Sequence, residues 1–325
     1  MDENYTEAPE LDWIGTLKRN PIHMMLESAS LPIRYGVLLE ILDDTSSDDV
    51  LALQNNLRKH QPRRKRMAEQ DDEGLWPLDP ATDKLEINQK KTLQLIHQLE
   101  VLHELVDFAV TKKSEKAILG MREIIRLIAE NQFTLRLHHL SQAIYLGIEM
   151  GLEGNPIIKD LIRDILKKQN SDGGWSSLES EQDSCIWSSM FFLWCMGHSE
   201  KFKKNRGLKK GLAYLRENAL QADKSQLVPG MQAWDTLTSG TSGMGILSGG
   251  SLRLLEVEML FDGGQRDRKT EKKVDWLIDQ QLKTGLWPSI IGRDRRGDHM
   301  VTLRALRVLK HFQSLRVRET QDYDD

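Results

Sequence analysis

Lys272-Lys-Val-Asp-Trp-Leu-Ile-Asp-Gln-Gln281 runs straight into Leu282-Lys-Thr-Gly285-Leu-Trp287, and this stretch decides the fold. Its kernel is Gln-x-x-x-Gly-x-Trp. The same kernel occurs at Gln70-Asp-Asp-Glu-Gly74-Leu-Trp76 and at Gln169-Asn-Ser-Asp-Gly173-Gly-Trp175. The three tryptophans lie 99 and then 112 residues apart. Each interval holds four helices, hence two helix pairs, so the intermediate copies must be degenerate. The pattern has a physical reading. Gln sits in the last turn of one helix, where backbone carbonyls lack partners. Gly supplies the left-handed position that stops the helix. Trp then starts the next helix and folds its ring back over the junction. A single hairpin of this kind cannot bury its apolar face, so repeated hairpins must stack.

The rest of the chain agrees. Apolar residues recur with helical spacing at Leu93, Ile96, Leu99, Leu102 and Val106, and again at Ile118, Met121, Ile125 and Ile128. Similar segments fall near 31–43, 48–60, 133–150, 156–168, 183–197, 206–219, 251–262, 269–282 and 298–314, about a dozen helices in all. Sustained period-2 alternation is missing, so strands are not expected. No Pro-rich or Gly/Ser linker divides the middle. The expectation is one domain over 13–316 between acidic tails at 1–12 and 317–325. The 325 residues are 39% apolar and 29% charged with a net charge of −4. That composition excludes a disordered, collagen-like or membrane-spanning chain, and it lacks the basic excess of a nucleic-acid binder. The N-terminal residues carry no secretory signature, and two cysteines make no disulfide framework. A cytoplasmic location is therefore expected.

The third copy, with its basic residues, the Trp276-Leu277 pair and then Gln, Gly and Trp, resembles the QW repeat of the terpenoid cyclase and protein prenyltransferase superfamily. Asp298-x-x-x-Thr302-x-x-Ala305-Leu306 resembles the start of an inner helix of that superfamily. Asn20-Pro-Ile-His-Met-Met-Leu-Glu through Arg34-Tyr-Gly-Val-Leu-Leu-Glu-Ile-Leu resembles the opening of squalene-cyclase-repeat proteins. The resemblance implies an all-α fold, an α/α toroid of about six helical hairpins closed around a central cavity. An open solenoid is the alternative. It also implies a small apolar, isoprenoid-like ligand in that cavity, with catalysis open. A non-catalytic scaffold for a protein partner is the competing reading, and sugar cleavage by carboxylates such as Asp183, Asp294 and Asp298 is a third.

The superfamily's chemistry leaves few marks. Cyclases use a D-x-D-D acid, and the one literal match is Asp322-Tyr-Asp-Asp325 in the C-terminal tail. Prenyltransferases hold zinc with Asp, Cys and His. Asp183, Cys185 and His299 are the candidate zinc ligands here. His299 lies two residues before Thr302's predecessor Val301, where the family has its histidine, which turns it by roughly 200° around the helix. Asp183 and Asp298 are the candidate catalytic carboxylates. Trp187, Phe191 and Trp194 crowd one helix as ring core or as a ligand lining. Arg293 and Arg296 follow Trp287 and could hold an anionic head group. His103-Glu-Leu-Val-Asp107 is half of an H-E-x-x-H motif and reads as a helix face. The glycine-rich Gly240–Gly250 stretch is either an anion cradle or a packing loop.

Overall fold

In this computed structural model, residues 12–130, 135–178, 182–219, 234–262 and 268–321 are described. Among them the chain forms thirteen α-helices and no extended strand, only isolated bridges at Thr236–Ile290 and Trp287–Asp298. No helix among the described residues is long and apolar enough to cross a membrane.

The helices form two concentric layers. The outer layer comprises α1 (Ile22–Ser28), α3 (Asp48–Lys59), α4 (Gln61–Glu69), α6 (Glu115–Glu130), α8 (Pro156–Lys167), α10 (Arg206–Asn218) and α12 (Arg268–Asp279). The inner layer comprises α2 (Leu31–Gly36, continued by a π-turn, Val37–Ile41), α5 (Ile87–Asp107), α7 (Leu137–Glu149), α9 (Ile186–Gly197), α11 (Gly250–Asp262) and α13 (His299–Gln321). Six inner elements, each entered from the outer layer, give six hairpins. The sequences explain the sorting. Outer α8 buries only Ile158, Ile162 and Ile165, one stripe at helical spacing. Inner α9 is apolar nearly all round and buries every residue but Trp194. A helix apolar on all faces must be surrounded by protein.

Consecutive inner helices pack side by side from α5 to α13, and α13 packs in turn on α2 and its π-turn. The ring closes, so the toroid expectation holds over the open solenoid. Helix α13 runs to Gln321 and so carries regular structure past residue 316.

The three Gln-x-x-x-Gly-x-Trp copies build one junction three times. Gln70, Gln169 and Gln281 each donate through Nε2 to the carbonyl of the Gly four residues on, at 2.7–2.9 Å. The three glycines hold φ of 97°, 100° and 92°, where a side chain is strained. The indole N–H of Trp76, Trp175 and Trp287 donates to the carbonyls of Arg66, Ile165 and Leu277, each four residues before the Gln, at 2.7–2.9 Å. Outer-helix carbonyls that the helix end strands are thereby satisfied. Each Trp backbone N–H is met by the following inner helix: Gln98 Oε1, Ser189 Oγ and Thr302 Oγ1 at 2.8–3.0 Å. One expectation changes. The tryptophans do not start the inner helices, which begin only at Ile87, Ile186 and His299. The residues between form connectors that the tryptophan pins.

The second bond of each Gln reaches the next hairpin. Gln70 donates to Lys116 at the start of α6, and Gln169 to Gly207 at the start of α10. Gln281 donates to the Arg19 carbonyl at 2.7 Å, 262 residues away in sequence, and its Oε1 accepts from Arg19 N at 3.2 Å. The third copy therefore ties the last hairpin to the first. Lys18 Nζ adds a bond to the Asp279 carbonyl at 2.8 Å.

The glycine-rich stretch is a plug. It crosses the ring before entering α11, and Gly240, Ser242 and Gly243 stay exposed. Gly243 N–H donates to Glu100 Oε1 of α5 at 2.8 Å, and the Thr241 carbonyl accepts from Gln142 of α7 at 3.1 Å. Arg304 of α13 reaches the Leu237 carbonyl and Ser239 Oγ at 2.9 and 3.0 Å. Ile246 and Leu247 are buried against α9. The loop thus spans the ring from wall to wall, and the carboxylate that its Gly243 N–H meets is the protein's own.

Candidate active site

Three adjacent inner helices end on a titratable side chain. Asp107 is the last residue of α5, Glu149 the last of α7, and His198 caps α9. One turn earlier on each helix stand His103, Tyr145 and Trp194, on the same face as their partners. The rings interlock. His103 and Tyr145 centroids are 5.2 Å apart, Tyr145 and Trp194 4.8 Å, and His198 lies 5.0 Å from Tyr145 and 4.6 Å from Trp194. His198 Nδ1 is 3.6 Å from Glu149 Oε1. The opposite wall carries Arg307 of α13, which donates to Glu40 of the π-turn at 2.6 Å, and Lys310, which sits 2.6 Å from Asp43. These groups line a mouth at the C-terminal ends of the inner helices. Glu100 and Gln142, which hold the plug, sit two turns earlier than Asp107 and Glu149, about 10 Å along their helices. The plug is the floor of the mouth.

Against the plug lies a buried ionic layer. Glu256 of α11 takes a bidentate bond from Arg304, at 2.6 and 2.9 Å. Arg253, one turn earlier on α11, lays its guanidinium 4.1 Å above the Trp194 ring. All three charged residues are buried.

Enclosure shifts the acids and bases apart. Burial pushes the Asp107 carboxyl up to about 6, against the pull of Arg307, Arg253 and Arg304. Asp107 is nevertheless exposed to solvent, at the open end of the ring rather than in its packed core. Burial raises Glu149, and the negative Glu40 across the mouth raises it further. Burial drives His103 down to about 3, with Arg253 and His198 adding to the fall. Burial likewise takes His198 down to about 4, although Glu256 opposes it. The Tyr145 hydroxyl is raised well above its ordinary value by burial. At neutral pH both imidazoles are therefore neutral, the phenol is a proton donor, and two carboxyls hold protons more tightly than usual. Gln142 Nε2 lies 3.1 Å from His103 Nδ1. Two carboxyls with displaced affinities, one acceptor imidazole and one phenol supply the parts of general acid–base chemistry.

The residues singled out from sequence lie mostly at the other end. Asp298 stands before α13, where its Oδ1 accepts from the N–H groups of Met300 and Val301 and its Oδ2 from Ser289 Oγ. That is a helix-capping role. Asp183 is exposed before α9, and α11 stands between α9 and α13. Cys185 precedes α9 and donates its N–H to the Trp175 carbonyl. His299 Nε2 is 3.4 Å from Ser28 Oγ. Among the described residues no three His, Cys, Asp or Glu side chains gather as a metal site. Asp322-Tyr-Asp-Asp325 lies outside the described residues. Arg293 and Arg296 are exposed in the connector before α13. Trp187 and Phe191 are buried core, Trp187 stacked on Trp234 at 4.5 Å. Of the proposed ligand-lining residues only Trp194 faces the mouth. The His103–Asp107 pair, read as a helix face, turns that face inward. Sequence reasoning passed over Glu149 and His198, whose only signal is an equivalent position at the end of an inner helix.

No protein-family model matches the chain, and no curated protein matches it. Solved structures do. The chain is similar to a polysaccharide lyase, with a TM-score of 0.50 and 11% identity, covering 95% of this chain and 97% of that one. A glycosyl hydrolase of family 88 from Bacteroides vulgatus aligns with a TM-score of 0.46 and 10% identity, over 94% and 98% of the two chains. The likeness to the lyase supports the α/α toroid and does not single out the terpenoid cyclases.

Proposed function

We propose that the mouth is the active site of a carbohydrate-active enzyme that cleaves glycosidic bonds by proton transfer. The observation that carries this reading is the convergence of Asp107, Glu149 and His198, from three successive helix ends, at one end of the ring. Glu149 is the acid that protonates the leaving oxygen. Asp107, ionised at neutral pH, is the base. Tyr145 donates a hydrogen bond. The likeness to a polysaccharide lyase favours sugars as the substrate class, as a fold-level analogy.

An isoprenoid in the ring fits these residues less well. The layer beneath the mouth is a set of ion pairs, and an apolar chain there would strand charges that need partners. The markedly apolar groove, about 550 Å³ and lined by Trp234, Leu254, Leu255, Trp276 and Ile291, lies on the outer side between α10 and α12.

The test is turnover of an oligosaccharide panel. Reducing-end release detects any cleavage, and ultraviolet absorbance of an unsaturated sugar separates elimination from hydrolysis. Asp107→Asn and Glu149→Gln should each lower kcat by about 10²- to 10⁴-fold. In the wild type, activity should fall as pH drops through about 6, where Asp107 gains its proton. A wild-type chain that cleaves no member of the panel, or variants that keep full rate, sinks the reading and returns weight to a scaffold.

A further inference from the structure

Arg253 is the odd member of the buried layer. Its residue is 5% exposed, and its Nε and Nη1 have no hydrogen-bond acceptor among the described residues. Glu256 Oε2 is 3.5 Å from Arg253 Nε, within ion-pair reach but beyond the bond that Arg304 makes to the same carboxylate. Arg304 is saturated by Glu256, Leu237 and Ser239. Arg307 is paired with Glu40. Two guanidiniums thus share one carboxylate, and the layer keeps one positive charge in excess. Among the described residues no second anion makes an ion pair with Arg253. His103 and His198 are neutral, Cys195 and Tyr145 keep their protons, and Asp107 interacts with Arg253 without an ion-pair contact.

What holds Arg253 is aromatic. Its guanidinium lies 4.1 Å from the Trp194 centroid and 5.8 Å from that of Phe191. Stacking of this kind fixes the plane of the fork and leaves its N–H edge uncommitted. A buried guanidinium with idle donors is costly unless something accepts them.

We infer that Arg253 is the receptor of an oxyanion site at the centre of the ring, taking a carboxylate or sulfate group that enters through the mouth. The ligand neutralises the excess charge and accepts from the idle N–H groups. The group is either part of a larger ligand, such as a sugar acid, or a free ion, and the chemistry of recognition is the same.

The experiment uses the full chain and reads tryptophan fluorescence and melting temperature at constant ionic strength set with chloride. Sodium sulfate, acetate, glucuronate and glucose are the probes. Sulfate or acetate should raise the Tm and shift the Trp194 emission saturably in the wild type. R253M keeps the stem over the ring but removes the donors, and should weaken anion binding at least about 10-fold. R253K should retain part of it, which guards against a variant that merely misfolds. Glucuronate binding more tightly than acetate, with glucose inert, makes the oxyanion part of a larger ligand. Equal binding of acetate and glucuronate makes the free ion the ligand. Absence of any saturable anion response, or an equal response in R253M, overturns the site. Asp107→Asn should keep anion binding even if it abolishes turnover, so this inference and the cleavage reading fail separately.

Discussion

The two ends of the ring are built from different kinds of polar group. At the end where the inner helices begin, most polar atoms of the repeat are spent on structure, while Gln70 Oε1 and the Nδ1 atoms of His138 and His139 stay buried without a partner among the described residues. Each junction Gln donates twice, each Trp is bonded at both its nitrogens, and Asp298 caps a helix with one oxygen while binding Ser289 with the other. At the end where the inner helices stop, polar atoms are left wanting. Asp107 and Glu149 hold their protons more tightly than they would in water, and among the described residues His198 Nε2 and the Nε and Nη1 of Arg253 are buried without a hydrogen-bond partner. Satisfied groups stabilise a fold. Strained affinities mark where chemistry is done. On the proposed reading, the contrast sets stability at one end and reactivity at the other.

Substitutions can break that division. The largest effect belongs to Trp287→Ala, which empties a fully buried site and frees the Leu277 carbonyl. It should cost about 3–5 kcal/mol in chemical denaturation. A cost below about 1 kcal/mol would remove the junctions from the stabilising side of the comparison. Gln281→Ala comes next. It strands the carbonyls of Gly285 and Arg19, and should cost about 1–3 kcal/mol. Hydrogen exchange should locate the loss at residues 18–28 and at the end of α12. Uniform loss over the ring would show that closure is not local to this junction.

The smallest effect has the opposite sign. Asp107 has a folded-state affinity raised from 3.8 to about 6, so its favourable contribution is complete below about pH 4 and is lost as pH rises through 6. Asp107→Asn removes that loss. The variant should match the wild type at pH 4 and exceed it at pH 8 by about 1 kcal/mol, the full shift being discounted because solvent reaches the carboxyl. A variant less stable at pH 8 would place Asp107 among the structural residues.

The legibility of the sequence follows the same division. Structure at the junction end is local: Gln, Gly and Trp occur within seven residues, so the kernel is visible three times and the helices fall close to their expected bounds. Helix α8 was expected over 156–168 and spans Pro156–Lys167. The mouth is non-local. Asp107, Glu149 and His198 come singly from three hairpins, each ordinary in its own segment, and only ring closure brings them together. Asp183, Asp298, Cys185 and His299 attracted notice because they sit near a repeat, which is why most of them belong to the structural end. The plug was equally hidden. Gly240–Gly250 has the composition of a surface loop, and its inward course depends on Glu100, Gln142 and Arg304, which lie far away in the chain.

The bond from Gln281 to Arg19 also sets an order of events in synthesis. The Gln70 and Gln169 junctions link segments that leave the ribosome within a few dozen residues of each other. Their hairpins can stack while translation continues. The final junction spans 262 residues and must wait until α12 has emerged. Until then the first hairpin presents an uncovered edge, the one that Leu303, Arg307 and Lys310 of α13 will cover. The nascent chain is an unfinished arc with one exposed end, and its hazard is pairing with the free edge of another arc before its own last hairpin arrives.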